Sequence, residues 1–189
     1  MSSETSLPTH KSEELLRDAA KWRLIGLLLE CPRDDWFAQV VALSAEVDNE
    51  QLRHAAAQAQ QEASEGLYHT TFGPGGPAAP REVSYHDSLL AGQTLAQLRA
   101  QYEAFGYASA LEEAPDHIAV ETGFMAYLRL KEAYALHAGA RGDAEITAAA
   151  ARDFLENRLS AIAGPLAEIL ACSGIGYFEL VASALCKRS

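Results

Sequence analysis

Apolar residues recur along this chain at intervals of three and four, which places them on one side of an α-helix. Leu15, Ala19, Trp22 and Leu29 form the first such stripe. A helix is expected to begin near Ser12, a suitable N-cap, with Glu13 and Glu14 favourable in its first turn. It should end at Cys31-Pro32, because the residue before a proline is pushed out of the helical region. Phe37, Val40, Val41 and Leu43 predict a second helix to about Val47, capped by Asp34 or Asp35. A third, rich in Ala and Gln and weakly amphipathic, spans Asn49 to Gly66. Ala91, Leu95, Leu98, Tyr102 and Phe105 mark a long helix from Val83 to Phe105, with Gly106 near its end. Ile118, Glu121, Met125 and Leu128 share one face of the next, from Pro115 to Ala138, where Pro115 suits a first-turn position. A turn at 139–142 leads to helices over 143–163, 165–172 and 177–187, broken at Gly164, Gly174 and Gly176.

One stretch interrupts this pattern. Residues 73–80 read Gly-Pro-Gly-Gly-Pro-Ala-Ala-Pro. Pro74, Pro77 and Pro80 forbid regular helix and the glycines permit unusual backbone angles. The segment is expected to be a linker or an ordered hinge between two helical halves; a plain surface loop is the simpler alternative. Residues 1–12 read as a loose polar tail.

Composition supports an all-α fold. The 189 residues include 36 Ala and 24 Leu, but only 12 Ile and Val together. Helices draw on the former and strands on the latter. With 49% apolar and 22% charged residues, a folded globular domain is expected. No segment approaches the ~20 apolar residues of a bilayer span. The net charge is 15 − 26 = −11, which disfavours a nucleic-acid partner and would attract a basic peptide. Three dispersed cysteines, Cys31, Cys172 and Cys186, do not make a disulfide scaffold and suit a reducing cytoplasm.

Conventional catalytic signatures are absent: there is no GxSxG, no Walker loop and no HExxH. The six histidines show no metal spacing. His117 and Glu121, four apart, could offer two ligands, but no third is identifiable. Neither a metal nor a cofactor is therefore expected.

Two segments carry more chemistry than folding requires. Tyr68, Thr71 and Phe72 precede the Gly/Pro stretch, and Glu82, Ser84 and Tyr85 follow it. Tyr68, Phe72 and Tyr85 either anchor the loop to the core or line a site. Glu113-Ala-Pro-Asp116-His117 opens a helix. Asp116 there either stabilises the helix start or joins His117, Glu112 and Glu113 in an acidic corner that would attract a guanidinium.

Phe72-Gly73-Pro74-Gly75, then Ala79-Pro80-Arg81-Glu82-Val83-Ser84-Tyr85, then Glu113-Ala-Pro-Asp116-His117-Ile-Ala-Val-Glu121 with Phe124-Met125 resembles the TorD/DmsD family, redox-enzyme maturation chaperones of molybdoenzymes. Thr71 stands where the family often has a bulky apolar residue, and Arg81 where a second proline is common. A segment expected of the nitrate-reductase branch is missing, which places the chain nearer the dimethyl-sulfoxide and trimethylamine-oxide reductase branch.

The resemblance implies one all-helical TorD-like domain over 13–189, with its hinge at 73–82 (Gly73, Pro74, Pro80, Glu82, Ser84, Tyr85). It implies a cytoplasmic, non-enzymatic chaperone. Such a chaperone binds the twin-arginine leader of an apo-molybdoenzyme and permits export only after molybdenum cofactor insertion. By the same resemblance Asp116 and Glu113 receive leader arginines or orient the rim. His117 bonds the leader backbone or Asp116, Tyr68, Thr71 and Phe72 line the apolar part, and Gly106 allows close backbone approach. A monomer with some dimer, formed by exchange of halves about the hinge, is implied as well. The other readings are a helical assembly factor that binds the folded region of a client, and a small helical metallohydrolase using His117, Glu121 and another carboxylate.

Overall fold

The computed structural model of the chain describes residues 10–86 and 88–186. The expected tail lies outside the described residues as far as residue 9. Nine α-helices make up the described residues, with no strand among them: α1 (His10–Leu28), α2 (Trp36–Ala45), α3 (Glu50–Glu62), α4 (Glu65–Phe72), α5 (Ala91–Phe105), α6 (Ile118–His137), α7 (Arg141–Phe154), α8 (Ser160–Leu170) and α9 (Gly176–Cys186). The fold is all-α, as composition and periodicity predict. None of these helices is long and apolar enough to cross a membrane.

The halves on either side of the Gly/Pro segment share one core. Helix α1 packs along α6, and α3 packs against α9. A side chain at Gly26 would place its Cβ 2.5 Å from the Thr122 hydroxyl, so only glycine lets α1 and α6 approach this closely. Phe124 of α6 centres an aromatic cluster, with Phe154 at 4.9 Å and Tyr102 at 4.7 Å between ring centroids.

Several boundaries differ from the sequence expectation, each for a local reason. The first helix already includes His10, and Ser12 is buried inside it rather than capping it. The expected third helix is two: Ala63 turns extended and the Ser64 hydroxyl accepts from Leu67 N, starting α4. The expected helix from Val83 gives way to short 3-10 turns at Glu82–Tyr85 and Ser88–Leu90 before α5. There the Val83 amide donates to the Asp116 carboxylate instead of to a helical carbonyl. Pro115 lies outside α6, whose N-cap is His117. Gly164 and Pro165 fall within α8 rather than breaking it. Pro165 faces solvent while Ile162, Ala163, Leu166 and Ala167 are buried, so packing overrides the ~3 kcal/mol propensity cost of an interior proline. A π-helical turn at Leu155–Leu159 joins α7 to α8.

The Gly/Pro segment is an ordered strap. Gly73 and Gly76 are required where they stand, because a Cβ would lie 2.3 Å from the His69 carbonyl oxygen and 2.4 Å from that of Thr71, respectively. Ala78 N donates to the Thr71 carbonyl at 3.1 Å. Glu82 N donates to the Asp116 carbonyl (2.9 Å) and Ile118 N to the Pro80 carbonyl (2.8 Å), stitching the far end of the strap to the start of α6.

Candidate functional site

A cleft of about 560 Å³ opens beside the start of α6. One wall comes from α1, where Arg23 and Leu27 stand one turn apart, and from the 30–35 connection that follows it. The opposite wall is the 110–113 loop with His117. Asp34 adopts a left-handed conformation (φ 50°), tolerable for aspartate. Trp36 pins the connection by donating from its indole to the Leu27 carbonyl at 2.7 Å. Five carboxylates line the cleft (Glu30, Asp34, Asp35, Glu112, Glu113) against two guanidiniums, Arg23 and Arg33. Arg23 pairs with Glu30. Burial pushes the Glu30 carboxyl up, Arg23 opposes this, and Glu113 adds to it. The cleft is therefore a net sink for positive charge. A second groove, lined by Arg23, Leu27, Gln39, Ala42, Leu43 and Glu46, shares Arg23, Leu27 and Gln39 with it. Acidic and apolar surfaces run into one another there.

His117 closes the inner end of the cleft and is almost wholly buried. Its Nδ1 accepts from Ala119 N at 3.2 Å, completing the cap of α6, and its Nε2 lies 3.2 Å from the Tyr68 hydroxyl. The proton thus sits on Nε2 in a neutral ring. Burial lowers the imidazole to about 4, with Asp116 opposing and Arg81 reinforcing the shift. Protonating Nδ1 would also set a second N–H against the Ala119 amide.

Asp116 is fully buried one residue earlier. Arg81 grips it from the strap: Nε donates to Oδ1 (3.0 Å) and Oδ2 (3.2 Å), and Nη2 donates to Oδ1 at 2.8 Å. Asp116 is absent from the cleft lining; its carboxylate ties strap to helix. Glu112 and Glu113 are the exposed carboxylates of the same corner.

Below lies a buried acid pair. Glu82 and Glu121 are both inaccessible, and Glu82 Oε2 and both Glu121 carboxyl oxygens lack a conventional partner. Glu82 Oε1 meets His86 Nε2 at 2.9 Å and Arg158 at 3.7 Å. Burial, then Glu82 and Asp116, push Glu121 well above the usual carboxylate range, with Arg158 opposing. These surroundings favour the protonated form of Glu121. Because this proton is bound more tightly in the folded chain, its stabilising contribution is complete below the ordinary glutamate value. It fades as pH rises through the folded value. Glu121→Gln, whose amide donates to Glu82 at any pH, is expected to raise stability at pH 8 by about 1 kcal/mol. Urea unfolding at pH 8 checks this, and a less stable variant would contradict it.

The remaining sequence candidates divide between core and strap. Tyr68, Thr71 and Phe72 are buried. Tyr68 backs His117, Phe72 packs on Tyr68 and Phe178, and the Thr71 hydroxyl donates to the Leu67 carbonyl. Gly106 ends α5 in the left-handed conformation (φ 71°), which accounts for glycine there. Tyr85 donates to the Ala79 carbonyl at 2.7 Å, and Ser84 N closes a turn onto the Arg81 carbonyl. His117 and Glu121 do not converge as metal ligands: the His117 nitrogens are engaged with Ala119 and Tyr68, and Glu121 faces Glu82. Arg23, Glu30, Asp34 and Asp35 are the cleft residues that sequence reasoning misses. Their one signal is the i, i+7 charge pair at Arg23 and Glu30.

The described residues thus form an all-helical domain with a carboxylate-rich cleft that shares residues with a more apolar groove. The family model described as nitrate reductase delta subunit matches residues 41–168, and the chain belongs to that family, which is one of molybdoenzyme maturation chaperones. The match takes in the strap, the Glu113–Glu121 segment and the 110–113 wall of the cleft, while the α1 wall and the 30–35 connection precede it. No curated protein matches the chain.

Proposed function

We propose that this protein is a cytoplasmic chaperone that binds the twin-arginine leader of an apo-molybdoenzyme and holds the precursor until its molybdenum cofactor is inserted. The observation that carries the reading is the continuity of the acidic cleft with the apolar groove. A leader of this kind has two adjacent arginines followed by an apolar stretch. Its arginines meet Glu112 and Glu113 on one side and Asp34 and Asp35 on the other. Its apolar stretch lies along Leu27, Ala42 and Leu43. Charge speeds encounter, and buried apolar area slows departure. Asp116 and His117 support this site from behind, Asp116 by fixing the strap and His117 by fixing the start of α6.

Titration calorimetry of the whole chain with a twin-arginine leader peptide tests the reading. Glu112→Gln combined with Glu113→Gln should weaken binding by about tenfold or more at low salt, with a smaller difference at high salt. Undiminished affinity in the double variant would remove the cleft from the mechanism. Equal capture of client with and without its leader would favour recognition of the client's folded region instead. The strap also allows exchange of halves between two chains, because the same α1–α6 and α3–α9 contacts can form between copies. Light scattering across concentrations should show monomer with some dimer.

A further inference from the structure

Cys31, Glu65 and His69 come together although they are scattered in the sequence. The Cys31 sulfur, a Glu65 carboxylate oxygen and a His69 ring nitrogen all lie within 4.8 Å of one another. Glu65 and His69 stand one turn apart on α4, whose start the Ser64 cap fixes. Cys31 is held opposite by the end of α1, where Leu29 N and Glu30 N bond back to the Gly26 and Leu27 carbonyls, and by Pro32 after it. The Gly73 amide donates to the His69 carbonyl at 2.9 Å, so the last turn of α4 is also anchored.

We propose that Cys31, Glu65 and His69 form a three-ligand site for a borderline-soft divalent cation of the zinc class. The donor set is the argument. Thiolate, imidazole and carboxylate together suit zinc, whereas magnesium and calcium take oxygen alone. Tetrahedral ligands around zinc sit about 3.5 Å apart, so small side-chain rotations from the present spacing close the site. Glu65 and His69 are exposed and Cys31 is half-buried, which leaves an outward fourth position for water or a donor from another molecule. Arg33 stands against this group, 4.0 Å from Glu65. Its side chain is 59% exposed and free to swing out as the cation enters. Burial pushes the Cys31 thiol up, Arg33 pulls it down and Glu65 pushes it up again; a bound cation would displace that proton. The site stands on these three residues and not on leader binding.

Titration of the reduced full-length chain with Co²⁺, followed by displacement with Zn²⁺, tests this. One ion per chain should bind, with a near-ultraviolet thiolate-to-cobalt charge-transfer absorption that Zn²⁺ abolishes. Cys31→Ser should lose that absorption. His69→Ala and Glu65→Gln should each weaken Zn²⁺ binding about tenfold or more. Cys172→Ser and Cys186→Ser should bind as the parent does. Circular dichroism of each variant checks that the fold persists, and the exposed Glu65 and His69 variants keep the test open if Cys31→Ser unfolds. No charge-transfer absorption in the parent chain, its survival in Cys31→Ser, or unchanged affinity in both α4 variants would overturn the site.

Discussion

Asp116→Ala is expected to lower the unfolding free energy by about 3 kcal/mol, as for a buried charge pair that loses one partner. The carboxylate is wholly buried and takes three contacts from Arg81 and a fourth from Val83 N at 3.3 Å. Truncation leaves the Val83 amide unpaired and lets the strap pull away from α6. Arg81 is 41% exposed and can regain water, which keeps the loss at the lower end of the range for buried pairs. Arg81→Ala leaves an uncompensated carboxylate in the interior and should cost a similar amount. The double variant should cost clearly less than the two singles added together, because both remove the same interaction. Urea unfolding of the four proteins measures the coupling. A loss below about 1 kcal/mol for Asp116→Ala would mean that the strap is held by its backbone bonds alone. Loss of leader affinity in Asp116→Ala must be read against this structural cost, which is why the exposed Glu112 and Glu113 are the cleaner probes.

Acid should destabilise the chain through His117. The folded imidazole titrates at about 4 against 6.5 for the ordinary group. Between those values the unfolded chain takes up a proton that the folded chain refuses. Stability from this residue is therefore complete above the ordinary histidine value and is lost as pH falls through the folded value. The difference corresponds to roughly 3 kcal/mol over that window. His117→Asn keeps an oxygen that can cap α6 and removes the titration. Its stability should be lower than the parent's at pH 7, where the Tyr68 contact is lost, and should fall less between pH 6.5 and 4. Equal slopes for the two proteins over that interval would place the acid sensitivity elsewhere.

The helical architecture was legible because Ala and Leu stripes at helical spacing leave little alternative. The strap was legible because three prolines and three glycines in eight residues leave no room for regular helix. The location of Asp116 and His117 at the start of a helix was legible too, although not which residue caps it. A histidine that accepts from the second amide of its helix looks like any other histidine in sequence. The opposite wall of the cleft was hidden for a related reason. Arg23, Glu30, Asp34 and Asp35 look like an ordinary solvated helix face and a cap until the 110–113 loop is brought against them. Glu121 was correctly placed on the buried face of α6, but its partner Glu82 sits in a turn that periodicity cannot orient. The Cys31–Glu65–His69 group has no spacing signature, since α1 and α4 must pack before it exists.

The packing of α1 on α6 and of α9 on α3 has a consequence for synthesis. Each end of the described chain meets a segment that emerges from the ribosome much earlier or much later than itself. When α3 appears, α1 and α2 are already present to pack on it, but α9 has not been translated. The part of α3 that meets α9 stays uncovered until α9, with its buried Phe178 and Val181, arrives. The α3–α9 packing therefore forms only once α9 has been made, and the growing chain is exposed to aggregation until then.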